Sequence, residues 1–385
     1  MKIVKRLEHR YVSWLTRPAQ NAAGRMGLYR IIYSLFYLWF LSHMQFAELS
    51  LVPTDLWDPT VLFSRLSPLP GIAYPTMEIL LVIALVLLLV GYKTRLATLT
   101  TLLMGFGLAI FRTGLLTQER TILTTTFYVP LFMLLSNWGA TYSIDALLRQ
   151  NKGLSTIDPK DSSWRYIWPA RGLLTVIALL FLSATITKCI QIDWLANPRF
   201  VGDFVLHKGV ESYLRNGFPI HPLGPQLGRT DALAMATQYG VLLFEGAFVL
   251  VLFSRLAQAI ICRITPIFHS MNTLLLGIPF ISVVSIYAAF PDWQNIYETF
   301  YPNALKLTDL AKLSSTTLIT GSVGLALAVG ALWNTTPIPR QIFGLFDLFN
   351  YQTLWFAILP FVFIWIFRPL WQHFKSAIPY PWERL

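Results

Sequence analysis

The stretch ILLVIALVLLLVG, Ile79–Gly91, decides the fold. It carries no charge and no hydrogen-bonding side chain, so it belongs in hydrocarbon rather than water. A helix crosses a bilayer with roughly 20 such residues. Working outward from this run, nine segments meet that need, at about 27–45, 74–91, 96–114, 121–138, 170–188, 232–253, 264–288, 314–333 and 350–367. In lipid the backbone must satisfy itself, which leaves helices or closed barrels. These runs are too long and too uniformly apolar for alternating barrel strands. The sequence therefore predicts an all-α integral membrane helical bundle of about nine transmembrane helices.

Composition points the same way. Of 385 residues, 55% are hydrophobic and only 13% are charged, against about a quarter charged in a soluble domain. Too few polar groups remain to coat a globule in water. The net charge of +11 fits basic loops on the cytoplasmic side. It does not point to nucleic acid, because no soluble Lys/Arg run interleaved with aromatics occurs. Cys189 and Cys262 match no metal spacing, so no metal is expected, and they suggest no disulfide framework. Zinc, P-loop, Rossmann and Ser/His/Asp signatures are absent from the sequence. No inverted repeat supports a simple channel or transporter, and the first apolar stretch is too long for a cleavable signal peptide.

Residues 1–26 differ from the rest. Lys2, Lys5, Arg6 and Arg10 alternate with Ile3, Val4, Leu7, Tyr11, Trp14 and Leu15, the pattern of an amphipathic helix lying in the interface. Arg17-Pro18 is its expected end. Residues 27–300 form the main transmembrane region, and 301–385 supply two further spans and a tail. Lys and Arg favour the side that carries the N-terminus, which predicts a multi-pass protein of the cell (inner) membrane with its N-terminus inside. Two outer loops are long, 46–73 and 189–230, and such loops often carry function.

Ionisable side chains inside apolar spans mark sites or structural pairs. Glu245, in YGVLLFEGAFVLVLF, is the clearest. It either serves a site or locks two helices together as a hydrogen-bonded glutamate. His269 and Asn272, in FHSMN, share a helix face and suit recognition of a quinone-like ring or a carboxylate. The alternative is a histidine satisfied by a nearby carbonyl. His269 and Glu245 fall at similar depth on consecutive helices, close enough to meet. Lys188, in TITKCIQIDW, is either a snorkelling terminal lysine or a desolvated amine able to act as a base. Arg30 reads as an interfacial anchor or a partner for an acid. Arg112, Glu119 and Arg120 read as a local ion network.

Taken together these residues resemble the membrane region of vitamin K-dependent γ-glutamyl carboxylases, known in bacteria as the horizontally transferred transmembrane (HTTM) domain. The resemblance covers roughly residues 10–295. It begins at Leu15–Pro18 (LTRP) with Tyr29-Arg30, then Ser67–Pro70 (SPLP), Gly91–Arg95 (GYKTR) and Ser143–Asp145 (SID). Lys188 through Asp193-Trp194 is similar to the family's AGxKKLxxDW, Glu245 to an acidic position, Phe268–Asn272 to FHxMN, and Pro291–Trp293 (PDW) to PEW.

The resemblance implies an enzyme that uses a reduced vitamin K or menaquinone cofactor on a peptide or protein substrate at the outer face. Lys188 would be the catalytic base with His269 catalytic beside it, and Asn272, Glu245 and Glu119 would line the cofactor pocket. Three departures bear on it. The family's lysine pair is here Lys188-Cys189, one position further from Asp-Trp. Its Asn-Asn-His is here Gln118-Glu119. The chain ends within about 18 residues of its last expected span, without the family's large lumenal domain. Some bacterial members instead resemble SdpB-type accessory proteins that mature a secreted toxic peptide. The second expectation is accordingly a non-catalytic membrane partner in peptide maturation or export. Membrane lipids are expected partners in either case.

Overall fold

The computed structural model describes residues 2–44, 46–57, 66–115, 120–216, 221, 223–276, 280–300 and 314–335. The described chain is helical throughout. In order, its helices are α1 (Lys2–Leu15), α2 (Ala22–Met44), α3 (Ala73–Val90), α4 (Thr94–Leu115), α5 (Val129–Leu134), α6 (Ile144–Asn151) and α7 (Trp164–Ile190). Then come α8 (Ile192–Ala196), α9 (Phe200–Asn216), α10 (Leu223–Arg229), α11 (Asp231–Ala247), α12 (Arg255–Leu276), α13 (Val284–Tyr287), α14 (Trp293–Phe300) and α15 (Ser315–Thr335).

Six of these helices are long and apolar enough to cross a membrane: Ala73–Val90, Thr94–Gly114, Trp164–Ile190, Asp231–Leu252, Leu256–Leu276 and Ser315–Trp333. That makes the chain a multi-pass membrane protein. Their outward surfaces carry exposed Leu179, Ile186, Leu243, Leu256 and Leu327, side chains suited to acyl chains.

Six of the nine expected spans thus have a counterpart, and the other three differ. α2 is long enough at 23 residues but carries Arg25, Arg30 and three buried tyrosines, so it is more polar than the six. The segment at 121–138 forms an irregular apolar helix, Thr124–Leu134, shorter than the six. A π turn covers Thr124–Tyr128 before a six-residue α5. Pro130 has no N–H to return to the carbonyl of Thr126, so the α-helical ladder cannot run through. The segment at 350–367 lies outside the described residues. The span expected at 264–288 starts earlier, because Arg263 lies within α12 instead of ending it. The expected outer loop at 189–230 is largely helical, as α8, α9 and α10. Charges and glycines in FVGDFVLHKGVESYLRN hide a 17-residue helix from a search for apolar runs.

The described residues fall into two compact units, one holding 12–174 and 282–335, the other 2–11 and 175–281. The first is organised by Tyr29, Tyr33 and Tyr37, four residues apart on one face of α2 and all fully buried. Their rings form a chain with centroids 6.3 and 5.7 Å apart, and Trp138 packs against Tyr29 and Tyr33. Tyr29 donates to the Ser285 carbonyl at 2.7 Å and Tyr33 to that of Thr125 at 2.9 Å. The Trp138 indole donates to Thr98 at 3.1 Å. Thr125 donates to the Ser282 carbonyl at 2.7 Å. Helices in lipid gain little from apolar burial against one another, so such packing and hydrogen bonds hold them, at about 0.6 kcal/mol per bond. We call this the tyrosine unit.

The other unit, here the lysine unit, packs α9, α10 and α11 closely. A Cβ on Gly202 would lie 2.8 Å from that of Ala234, and one on Gly228 would lie 2.8 Å from the Gly202 carbonyl. Only small residues permit that approach. Arg199 adds an ion pair to Asp231 and donates to the Gly228 carbonyl at 3.2 Å.

Candidate functional site

Within the lysine unit the last turn of α7 brings Lys188 against Glu245 of α11. The lysine Nζ lies 2.5 Å from each carboxylate oxygen. The glutamate side chain is 7% exposed and the lysine 20%, so the carboxylate is inside the fold and the ammonium sits at its rim. The same Nζ lies 5.1 Å from the centre of the Trp194 ring on α8, within cation–π range. A charge shared with an opposite charge and a ring face is cheaper to hold near lipid than a bare one.

Gln238, two turns before Glu245 on the same face of α11, keeps this arrangement in place. It is fully buried. Its amide nitrogen donates to the carbonyls of Trp194 at 2.7 Å and Asn197 at 2.9 Å, and its oxygen accepts the Val201 N–H at 3.1 Å. One side chain thereby satisfies the backbone where α8 passes into α9, and it fixes Trp194. Sequence reasoning missed Gln238. The available signal was an amide at i−7 from Glu245 inside an apolar helix.

Phe181, two turns before Lys188 on α7, opens an aromatic cluster. It stacks on Phe248 at 4.4 Å and meets Phe244 and Phe268 edge-on at 5.9 and 6.1 Å. Phe244 stacks on Phe268 at 4.6 Å. His269 enters the cluster from α12, 4% exposed, with its ring 5.5 Å from both Phe268 and Phe280 and 6.2 Å from Phe181. Asn272, one turn further on, is half-buried. Of the expected site residues, Lys188 and Glu245 therefore form one ion pair. His269 belongs to the aromatic cluster whose members Phe181 and Phe244 share helices with that pair. Glu119 lies outside the described residues.

The tyrosine unit brings together two further quoted motifs. Asp145 of SID accepts the N–H groups of Lys93 and Thr94, both at 2.8 Å, and the Thr94 hydroxyl at 2.6 Å. It thus caps α4 from a distant segment. Arg30 is fully buried, and donates to the Tyr142 carbonyl at 2.5 Å. It fits because Gly91, at φ 75°, has no Cβ; one placed there would fall 2.0 Å from the Arg30 Nη1. Arg112 donates to the Met44 carbonyl at 2.8 Å and lies over the Phe46 ring. Glu78 is a buried acid that sequence reasoning missed. It accepts the Ala47 N–H at 2.6 Å and the Trp333 indole at 2.8 Å. Outside the spans, burial pushes the Tyr142 phenol above its usual range, and it donates to Gln294 at 2.6 Å.

Chemically, the Lys188–Glu245 pair can exchange a proton between nitrogen and oxygen. An ammonium has three donors, so with two directed to Glu245 it retains capacity for one more acceptor. A partly desolvated ammonium stabilises developing negative charge strongly. Among the described residues no group of three His, Cys, Asp or Glu is placed to hold a metal. No family model, no curated protein and no solved structure matches the chain.

Proposed function

We propose that the protein is an HTTM-type membrane enzyme in which the Lys188–Glu245 pair handles a proton beside a bound lipophilic quinol, modifying a peptide or small substrate at the outer face of the cell membrane. The observation that carries this reading is the bidentate ion pair at the end of a long apolar helix, bounded by Trp194. A lysine kept only as an interfacial anchor snorkels to water and needs no buried acid to receive it.

The side chains present suit a quinol. Phe181, Phe244 and Phe268 are half-buried, so their free edges offer a ring-shaped ligand an apolar seat. The Lys188 ammonium supplies a donor for a ring oxygen. When bound, a quinol supplies an ionisable hydroxyl and reducing equivalents, the latter taken up by dioxygen as co-reactant. Lys188 would hold the proton of that hydroxyl or stabilise its anion, Glu245 would fix and neutralise the ammonium, and Trp194 would screen the pair from water. His269 and Asn272 would line the α12 side of the seat.

Purified protein given menaquinol, dioxygen as its oxidant, labelled bicarbonate and a glutamyl peptide is expected to incorporate label, and Lys188→Ala to abolish it. No incorporation, together with a phenotypically silent Lys188→Ala, overturns the reading.

A further inference from the structure

A second polar centre lies in the tyrosine unit. At the turn Gly91–Lys93, between α3 and α4, a cavity of about 360 Å³ opens, lined among others by Lys93, Arg95, Asn137, Trp138, Asp145 and Arg149. Three cations and one anion face it. The anion, Asp145, does not balance them: its two oxygens accept from the Lys93 N–H and from Thr94 at the start of α4, and its charge also acts on the buried Arg30. Arg149 donates to the Ser155 carbonyl at 3.3 Å, an exposed contact that leaves its charge uncompensated. Beside the same turn sits Arg30, fully buried. Among the described residues its Nε and Nη1 have no hydrogen-bond acceptor. The corner therefore carries a surplus of positive charge, part of it inside the fold.

Its position is informative. The spans Ala73–Val90 and Thr94–Gly114 both end at this turn, which sets the cavity at the edge of the hydrocarbon, the depth of lipid headgroups. The backbone is also held in an uncommon state there. Lys93 has φ 44°, a left-handed conformation that non-glycine residues rarely adopt and that persists only when surroundings enforce it. The Asp145 carboxylate on its N–H enforces it. Lys93 lines the cavity with its ammonium 5.9 Å from the centre of the Tyr92 ring, and Arg95 follows two residues on.

We propose that this cavity binds a phosphate group, carried either by a phospholipid headgroup or by a soluble phosphate ester. Guanidinium groups of Arg95 and Arg149 offer the planar donor pairs that match phosphate oxygens, and Lys93 adds a point charge. The exposed Asn137 amide supplies a neutral donor. A volume of about 360 Å³ holds a phosphate with a glycerol-sized substituent.

The full-length protein in nanodiscs provides the test. One arm compares phosphatidylcholine discs with discs containing phosphatidic acid; the other adds glycerol 3-phosphate to phosphatidylcholine discs. Thermal midpoints are read for the wild type, Arg95→Gln, and Lys93→Gln/Arg149→Gln. A rise with phosphatidic acid alone assigns a lipid headgroup, and a rise with glycerol 3-phosphate assigns a soluble ester. In either case the double variant is expected to need at least tenfold more ligand for the same rise. Arg95 is exposed, and the Asp145 contacts to the backbone of residues 93 and 94 survive side-chain replacement, so these variants keep the fold's own hydrogen bonds. No rise in either arm, or a rise of equal size in the double variant, overturns the proposal.

Discussion

In the tyrosine unit, polar side chains within helices are answered mainly by backbone carbonyls and hydroxyls. Tyr29 finds Ser285, Tyr33 finds Thr125, and Thr125 finds Ser282. In the lysine unit the central polar contact joins two full charges at the exposed end of a helix. Neutral hydrogen bonds in a packed interior fix one arrangement of helices and do little else. A charge pair at a rim can exchange protons and receive a ligand. The difference separates neutral contacts in a packed interior from a charge pair at a rim.

The largest effect that separates the two regions is expected at Trp138. Replacement by Ala removes a fully buried ring against Tyr29 and Tyr33 and costs about 3–5 kcal/mol, read as a lower midpoint in denaturant-titrated micelles. Phe181→Ala, in the half-buried cluster, is expected to cost less. Equal losses would erase the distinction. Next comes Lys188→Met, which strands the Glu245 carboxylate and costs about 1–3 kcal/mol. Lys188→Met/Glu245→Leu is expected to recover most of that loss, because removing both members of a pair is far milder than removing one. A double variant as unstable as the sum of its parts would mean the charges do not interact. The smallest effect lies back in the packed region. Glu78→Leu leaves the Trp333 indole and the Ala47 N–H without their acceptor and costs about 1–2 kcal/mol. Trp333→Phe in that background is expected to restore part of it, as measured by the same titration.

Much of this was legible in the chain, and the rest was hidden for physical reasons. Charges in apolar runs are visible without a structure, so Lys188 and Glu245 stood out. Their pairing did not, since they lie 57 residues apart and α8 had to fold between them to supply Trp194. Glu78 sits near the start of its span, where an acid looks interfacial. Its indole partner is 255 residues away, so no local pattern announces the contact. Arg30 looked like an anchor for the same reason: the space for it is made by Gly91, and its acceptor is on residue 142. Five spans were readable from hydropathy almost to their ends. Where a π turn at Thr124–Tyr128 precedes Pro130, apolar content remained high while the regular α-helix shrank to Val129–Leu134, and hydropathy does not report the hydrogen-bonding pattern. The surroundings of His269 were not legible either: Phe181, Phe268 and Phe280, which pack around it, come from α7, α12 and the segment after α12.

The central claim is that Lys188 and Glu245 form a ligand-receiving pair rather than a structural tie. Titrating the purified protein with menaquinol while following its thermal midpoint tests this directly, because a ligand that binds only the folded state raises the midpoint with concentration. The account predicts a saturable rise for the wild type that is lost in Lys188→Met/Glu245→Leu, a variant that keeps most of its basal stability. An identical rise in that variant, or no rise in the wild type, would contradict it.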